Sequence, residues 1–205
     1  MLSYQKFKKK KRPLIIAEIG NNHEGNFSVA KKLIDLAAEA GVDAVKFQTF
    51  KTKKFITDKE KKRFNKFQKF ELKYSDFEKL SIYAKKKKLL FISTPFDIES
   101  AIFLNKIVDC FKISSGDNNF FELIQKVLSF KKPVIISLGL LTFSEIIKLE
   151  KFVKKQNNKD VYFLHCITSY PAEDAEIDLK TIELLKKKIK FKIGYSDHSL
   201  GPDAA

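Results

Sequence analysis

Side chains able to hold or move charge recur at the ends of apolar runs in this chain. Glu18 closes "PLIIAE" and is followed at once by Asn21, Asn22, His23 and Glu24. In "DAVKFQTF", Lys46 and Gln48 alternate with Val45 and Phe47. In "CFKISSGD", Lys112 lies between Phe111 and Ile113, with Ser114, Ser115 and Asp117 just beyond. Ser137 ends "PVIIS", and "FKIGYSDHS" sets Lys192, Gly194, Ser196 and His198 on one parity. Side chains alternate across a strand, so parity decides which residues share a face. If the apolar members pack on a helical layer, Lys46, Gln48 and Lys112 point the other way. A buried ammonium costs several kcal/mol unless an anion meets it. That anion is either internal, such as the Glu18 carboxylate, or a ligand. Two inward lysines on separate strands, with strand-end hydroxyls close by, favour a small anion such as phosphate or carboxylate. Glu18 and Asp117 are the carboxylates available for acid–base or hydroxyl-binding work.

Of the three histidines, His23 falls in the first loop, His165 lies deeper in "YFLHCITSYP", and His198 stands at a strand end. His165 is expected in a core or supporting role. There is no HxH or HExxH pair and no CxxC, so spacing alone does not make a metal site. Cys110 and Cys166 each sit inside an apolar run, as buried thiols do in a reducing compartment.

The elements that must position these residues follow from periodicity. Short β-branched runs predict strands at 14–19, 43–49, 89–94, 109–114, 133–138, 161–167 and 191–196. Amphipathic stretches between them predict helices at 27–40, 75–88, 97–106, 120–130, 142–156 and 177–188. In the first, Val29, Leu33, Leu36 and Ala37 are expected on the buried face, with Gly41 as the stop just past the end. Strand–helix alternation at this spacing implies parallel strands with right-handed crossovers. No strand leads into GxGxxG or GxxxxGK[ST], which argues against dinucleotide and P-loop folds. Polar, chemically capable residues at nearly every strand end favour a (β/α)8 barrel over an open sheet. The predicted fold is therefore a (β/α)8 TIM barrel, α/β in class, truncated after about the seventh strand. Residues 51–74 exceed a usual βα connection and are expected to form a lid or insertion over the mouth.

Bulk composition narrows the function classes. A chain of 205 residues that is 44% hydrophobic and 32% charged reads as globular. Its longest apolar runs fall short of the ~20 residues of a membrane span. The basic start reaches Glu18 too soon for a signal peptide, so a cytoplasmic location is expected. The net charge of +15 is nearly all lysine spread along the chain, without a zinc finger, helix-turn-helix or RNP pattern, so nucleic acid is not the expected partner.

Seven runs, "IAEIGNNHEGN", "VKFQTF", "FISTPFD", "FKISSGDNN", "KPVIISLGL", "HCITSYPA" and "IGYSDHSLG", together resemble the sialic acid synthase family, in the family's order and spacing from about residue 13 onward. The resemblance implies condensation of phosphoenolpyruvate with N-acetylmannosamine or a related amino sugar. It also implies a divalent metal, manganese or else magnesium, and a homodimer of the full-length protein. By motif, Glu18 would bind the sugar or transfer a proton near its aldehyde. Lys46, Gln48, Lys112 and Ser115 would hold the phosphate and carboxylate of phosphoenolpyruvate, and Ser137 and Ser196 would add hydroxyls. Tyr170 would contact the sugar and His198 would bind the metal, with a second metal histidine expected on an eighth strand beyond Ala205. Departures from the family pattern bear on the sugar: Asp117 replaces a glutamate, Leu138 a hydroxyl residue, and Thr168 a frequent asparagine. The expected domains are a basic extension over 1–12 and an incomplete barrel over 13–205, lacking the family's C-terminal antifreeze-like domain. Two alternatives stand beside this: another phosphoenolpyruvate-dependent sugar-acid synthase of the same fold, or a non-catalytic barrel fragment that binds anions.

Overall fold

The computed structural model describes residues 12–204. The basic extension expected over 1–12 lies, but for Arg12, outside them. The Arg12 guanidinium grips Asp43 with two bonds of 2.6 Å, and Asp43 also accepts from the Ile15 amide. The chain divides into two compact units with the boundary between Phe111 and Lys112.

In the first unit, β1 (Ile16–Gly20), β2 (Ala44–Thr49), β3 (Leu90–Pro95) and the start of β4 (Cys110–Ile113) pair in parallel, each with the next in the chain. The connections run through α1 (Phe27–Glu39), α2 (Thr52–Phe55), α3 (Lys61–Phe70), α4 (Tyr74–Lys86) and α5 (Ile98–Leu104). Parity works as expected on β2. Val45 and Phe47 are fully buried, and Phe47 stacks on Phe91 at 5.4 Å and meets the edge of Phe77 at 6.3 Å. Each such phenylalanine contributes about 2–3 kcal/mol by burial. Opposite them, Lys46 and Gln48 take the other face.

Helix α1 begins at Asn26, whose side chain accepts from the Ser28 and Val29 amides, and it stops at Gly41, which adopts φ +75°. Its buried face corrects the expectation. Ala30, Ile34 and Ala37 are buried, whereas Val29 and Leu36 are 39% and 50% exposed. The two alanines let the helix axis approach its neighbours closely, which rotates the bulkier residues to the flank. The segment 51–74 carries α2 and α3 and is closed at its base by Glu71, which accepts from the Thr52 amide, the Thr52 hydroxyl and the Lys51 ammonium. Phe55 and Phe67 of this segment pack around Phe50.

The second unit holds the end of β4, then β5 (Val134–Ser137), β6 (Val161–His165) and β7 (Lys192–Tyr195), with β5–β6 and β6–β7 parallel. Helices α6 (Phe121–Ser129), α7 (Phe143–Lys155) and α8 (Lys180–Lys188) alternate with the strands. Helix α7 starts with a reciprocal capping box between Thr142 and Glu145. The core comprises Ile113, Leu123, Val127, Ile136, Leu149, Val153 and Phe163. Seven parallel strands in strict alternation with helices give the α/β architecture of a (β/α)8 barrel as far as its seventh strand. Among the described residues no helix is long and apolar enough to cross a membrane.

Candidate active site

Each unit carries a cluster of the expected residues at its strand ends. In the first, β1 and β2 run in register so that Glu18 lies beside Lys46. Parallel neighbours share a face, and the Lys46 Nζ meets Glu18 Oε2 at 2.8 Å. The lysine is buried with its side chain 9% exposed, while the carboxylate is 56% exposed. The ammonium is thus compensated from within, by the internal partner that parity allowed, yet that partner stands open to exchange. The register then shifts between Glu18 and Gly20. Gly20 adopts φ +54°, and a side chain there would begin 3.0 Å from Glu18 Oε1. Glycine meets both conditions without strain. Beyond it, Asn21 Nδ2 donates to Gln48 Oε1 at 2.5 Å.

His23 is buried against Phe47, with ring centroids 6.0 Å apart. Its Nδ1 accepts from the Gly25 amide at 3.0 Å, which leaves the proton on Nε2, and burial pushes its pKa down to about 4. It is a neutral residue that shapes the first loop.

In the second unit, Lys112 is buried and its Nζ donates to Ser137 Oγ at 2.5 Å and to the Ile113 carbonyl at 2.8 Å. Asn118, also buried, donates to the carbonyls of Ser137 at 3.2 Å and Gly139 at 2.8 Å, so it holds the end of β5 in place. Ser115 Oγ lies 3.1 Å from Cys166 Sγ. Asp117 accepts from the Ser114 hydroxyl; burial raises its pKa, against the opposing pull of that bond and of the Lys112 charge. Gly139 is enclosed: a Cβ there would fall 2.6 Å from Thr168 Cγ2, 2.7 Å from Ser115 Oγ and 2.9 Å from Cys166 Sγ. That packing brings Ser115 and Thr168 together.

At the end of β7, the His198 ring lies 4.2 Å from that of Tyr170. His198 Nδ1 is 2.5 Å from the Ile167 carbonyl, which must accept, so the proton sits on Nδ1 and the lone pair on Nε2. Ser196 Oγ is 3.5 Å from that Nε2. The Nε2 is the ring nitrogen left to face Ser196. Among the described residues no three His, Cys, Asp or Glu side chains gather as a metal would require. His165 is buried beside Tyr195, its pKa lowered by burial, in keeping with a supporting role.

The structure therefore brings together Glu18 with Lys46, Gln48 with Asn21, Lys112 with Ser137, Ser115 with Thr168, and Tyr170 and Ser196 with His198. It also adds residues that the sequence reading passed over. Thr94 is in register with Gln48 on β3, and its hydroxyl is buried with no partner among the described residues. The signal was there in "FISTPFD", where Thr94 has the parity of the strand-end polar residues. Asn118 had no such signal, because its bonds reach a different strand.

The NeuB family pattern matches residues 33–205. The chain is 39% identical over 207 residues to an N,N'-diacetyllegionaminic acid synthase of Campylobacter jejuni, covering 93% of this chain and 62% of that enzyme. It is 31% identical over 201 residues to the human N-acetylneuraminate-9-phosphate synthase, covering 91% of this chain and 56% of that one. Among solved structures, an N-acetylneuraminic acid synthetase from Leptospira borgpetersenii, crystallised in complex with citrate, superposes with a TM-score of 0.89 at 36% identity. That alignment covers 93% of this chain and 66% of the synthetase. The chain thus spans little more than half the length of the relatives it matches.

Proposed function

Because the chain belongs to the NeuB family, we propose that it forms the phosphoenolpyruvate-handling part of a synthase that joins phosphoenolpyruvate to an N-acylated amino sugar. The products are a nonulosonic acid and phosphate. The observation that carries this reading is Lys112: a buried ammonium at a strand end, capped by the Ser137 hydroxyl and flanked by Ser115 and Asp117. Such a donor set suits a small dianion. The synthetase from Leptospira, which holds citrate, is in keeping with carboxylate recognition in this fold.

In this proposal Lys112, Ser137 and Ser115 in the second unit donate to an anionic group of phosphoenolpyruvate, and Lys46 and Gln48 in the first unit are assigned to the same ligand by the family resemblance alone. Carbon 3 of phosphoenolpyruvate attacks the aldehyde carbon of the open-chain sugar, and the aldehyde oxygen takes a proton to become a hydroxyl. Water then adds at carbon 2, and the tetrahedral intermediate expels phosphate by cleavage of its C–O bond. In the same proposal Glu18 would bind a sugar hydroxyl or move the proton, and Asp117, Thr168 and Tyr170 would contact the sugar. His198 would offer one nitrogen to a divalent metal, manganese or magnesium.

The test is phosphate release from phosphoenolpyruvate, with and without a panel of N-acylated amino sugars. Release should require one of the sugars and should fall about 100-fold or more in Lys112→Ala, the scale of one lost electrostatic contact in a dry site. Sugar-independent release, or near-normal turnover in the variant, would overturn the reading.

A further inference from the structure

We propose that Asn21 is a positioning residue that fixes the Gln48 amide with its NH2 group turned away from Asn21 and free to donate to a ligand. The inference rests on the reading of Gln48 as a ligand of phosphoenolpyruvate. Two facing carboxamides can pair in two ways, and in each the second amide must be reversed to suit the first. In one arrangement Asn21 Nδ2 donates to Gln48 Oε1, and Gln48 Nε2 is left as a free pair of donors. In the other, both amides turn over and Gln48 offers an oxygen instead. The neighbours decide between them. A side chain at Gly20 would start 3.9 Å from Gln48 Nε2 and 3.0 Å from Glu18 Oε1, so the outer end of the Gln48 amide and the Glu18 carboxylate flank one small space. On that side the Glu18 carboxylate is an acceptor, which suits an N–H of Gln48 better than its carbonyl oxygen. The 2.5 Å bond from Asn21 locks the favourable choice.

The arrangement has a cost. Asn21 Oδ1 is buried with no partner among the described residues. Turning the Asn21 amide alone would set its oxygen against Gln48 Oε1, so the pair is kept only if both amides turn together. The consequence is a row of donors on one face of β2: the Lys46 ammonium, then the Gln48 NH2, with the buried Thr94 hydroxyl in register beside it on β3. Asn21 touches none of the reacting atoms and acts through Gln48.

Two readouts test this in the full 205-residue chain. The first needs no ligand. Nuclear Overhauser contacts from the Gln48 side-chain NH2 should reach the Glu18 side in the native protein, and in Asn21→Asp they should move to residue 21, because a carboxylate only accepts. The second is calorimetric titration with phosphoenolpyruvate. Asn21→Leu should weaken binding by about fivefold to tenfold, the scale of one misoriented hydrogen bond to a charged group. Asn21→Asp should weaken it further, and neither change should matter once Gln48→Leu is present. That loss of effect separates positioning from general damage to the loop. A Gln48 amide that keeps its orientation in Asn21→Asp overturns the proposal, as does an Asn21→Leu effect that persists in the Gln48→Leu background. Failure of the native chain to bind phosphoenolpyruvate would instead overturn the reading of Gln48 as a ligand. The amide contacts would then decide the role of Asn21 alone.

Discussion

At the scale of single residues, burial treats the lysines and the histidines of this chain differently. Lys46 and Lys112 are buried beside groups that a ligand could displace, a half-exposed carboxylate and a serine hydroxyl. His23 gives up its charge altogether. Its folded pKa of about 4 lies below the ordinary value near 6.5, so between those values the unfolded chain binds a proton that the folded chain does not. The unfolded state therefore gains as pH falls, and stability conferred by the neutral ring is complete above pH 6.5 and drains away toward pH 4. The shift corresponds to about 3 kcal/mol across that window. Burial of His165 pushes its pKa the same way and adds to the trend. Urea unfolding from pH 7 to pH 4 should show this slope, and His23→Gln should flatten a large part of it. An unchanged slope in that variant would place the acid sensitivity elsewhere.

At the scale of elements, the glycines at the strand ends differ in what a methyl group would meet. Gly139 is closed in by side-chain atoms of Thr168, Ser115 and Cys166, all within 2.9 Å of a Cβ. Gly194 on β7 faces only Leu164 Cδ2, at 2.8 Å, the far end of a flexible chain. Gly139→Ala should therefore cost roughly 1–3 kcal/mol in urea unfolding, within the usual range for overpacking. Gly194→Ala should cost clearly less, and equal costs would contradict the packing described around Gly139. This contrast also marks what could be read from the sequence. The strands, the helices and the inward parity of Lys46, Gln48 and Lys112 were legible because period-2 and period-3.6 patterns are local. The register that sets Thr94 beside Gln48, the reach of Asn118 to the end of β5 and the crowding at Gly139 each depend on a second strand, and no local pattern encodes them. The buried face of α1 was misjudged for a related reason. Ala30 and Ala37 are weak hydrophobic signals, and they earn their burial only through close approach to neighbouring elements.

At the scale of the whole molecule, the excess of 15 positive charges invites the thought of a polyanion partner. The placement of the charges argues otherwise. Most lysines are exposed along helices, as in α3, where none of the ten residues is buried. By contrast, the two lysines assigned to phosphoenolpyruvate are each only 8% exposed. Salt screens exposed charges strongly and buried ones far less. Phosphoenolpyruvate affinity should thus fall by no more than about fivefold between 0.05 and 0.5 M salt. Any attachment to duplex DNA should collapse over the same range, since each phosphate contact adds a slope of about −0.9 in log affinity against log salt. Titrations of both ligands across that range would separate the two. A steep salt dependence for phosphoenolpyruvate would mean that it rides on the surface lysines, and the buried pair would lose its claim as the binding site.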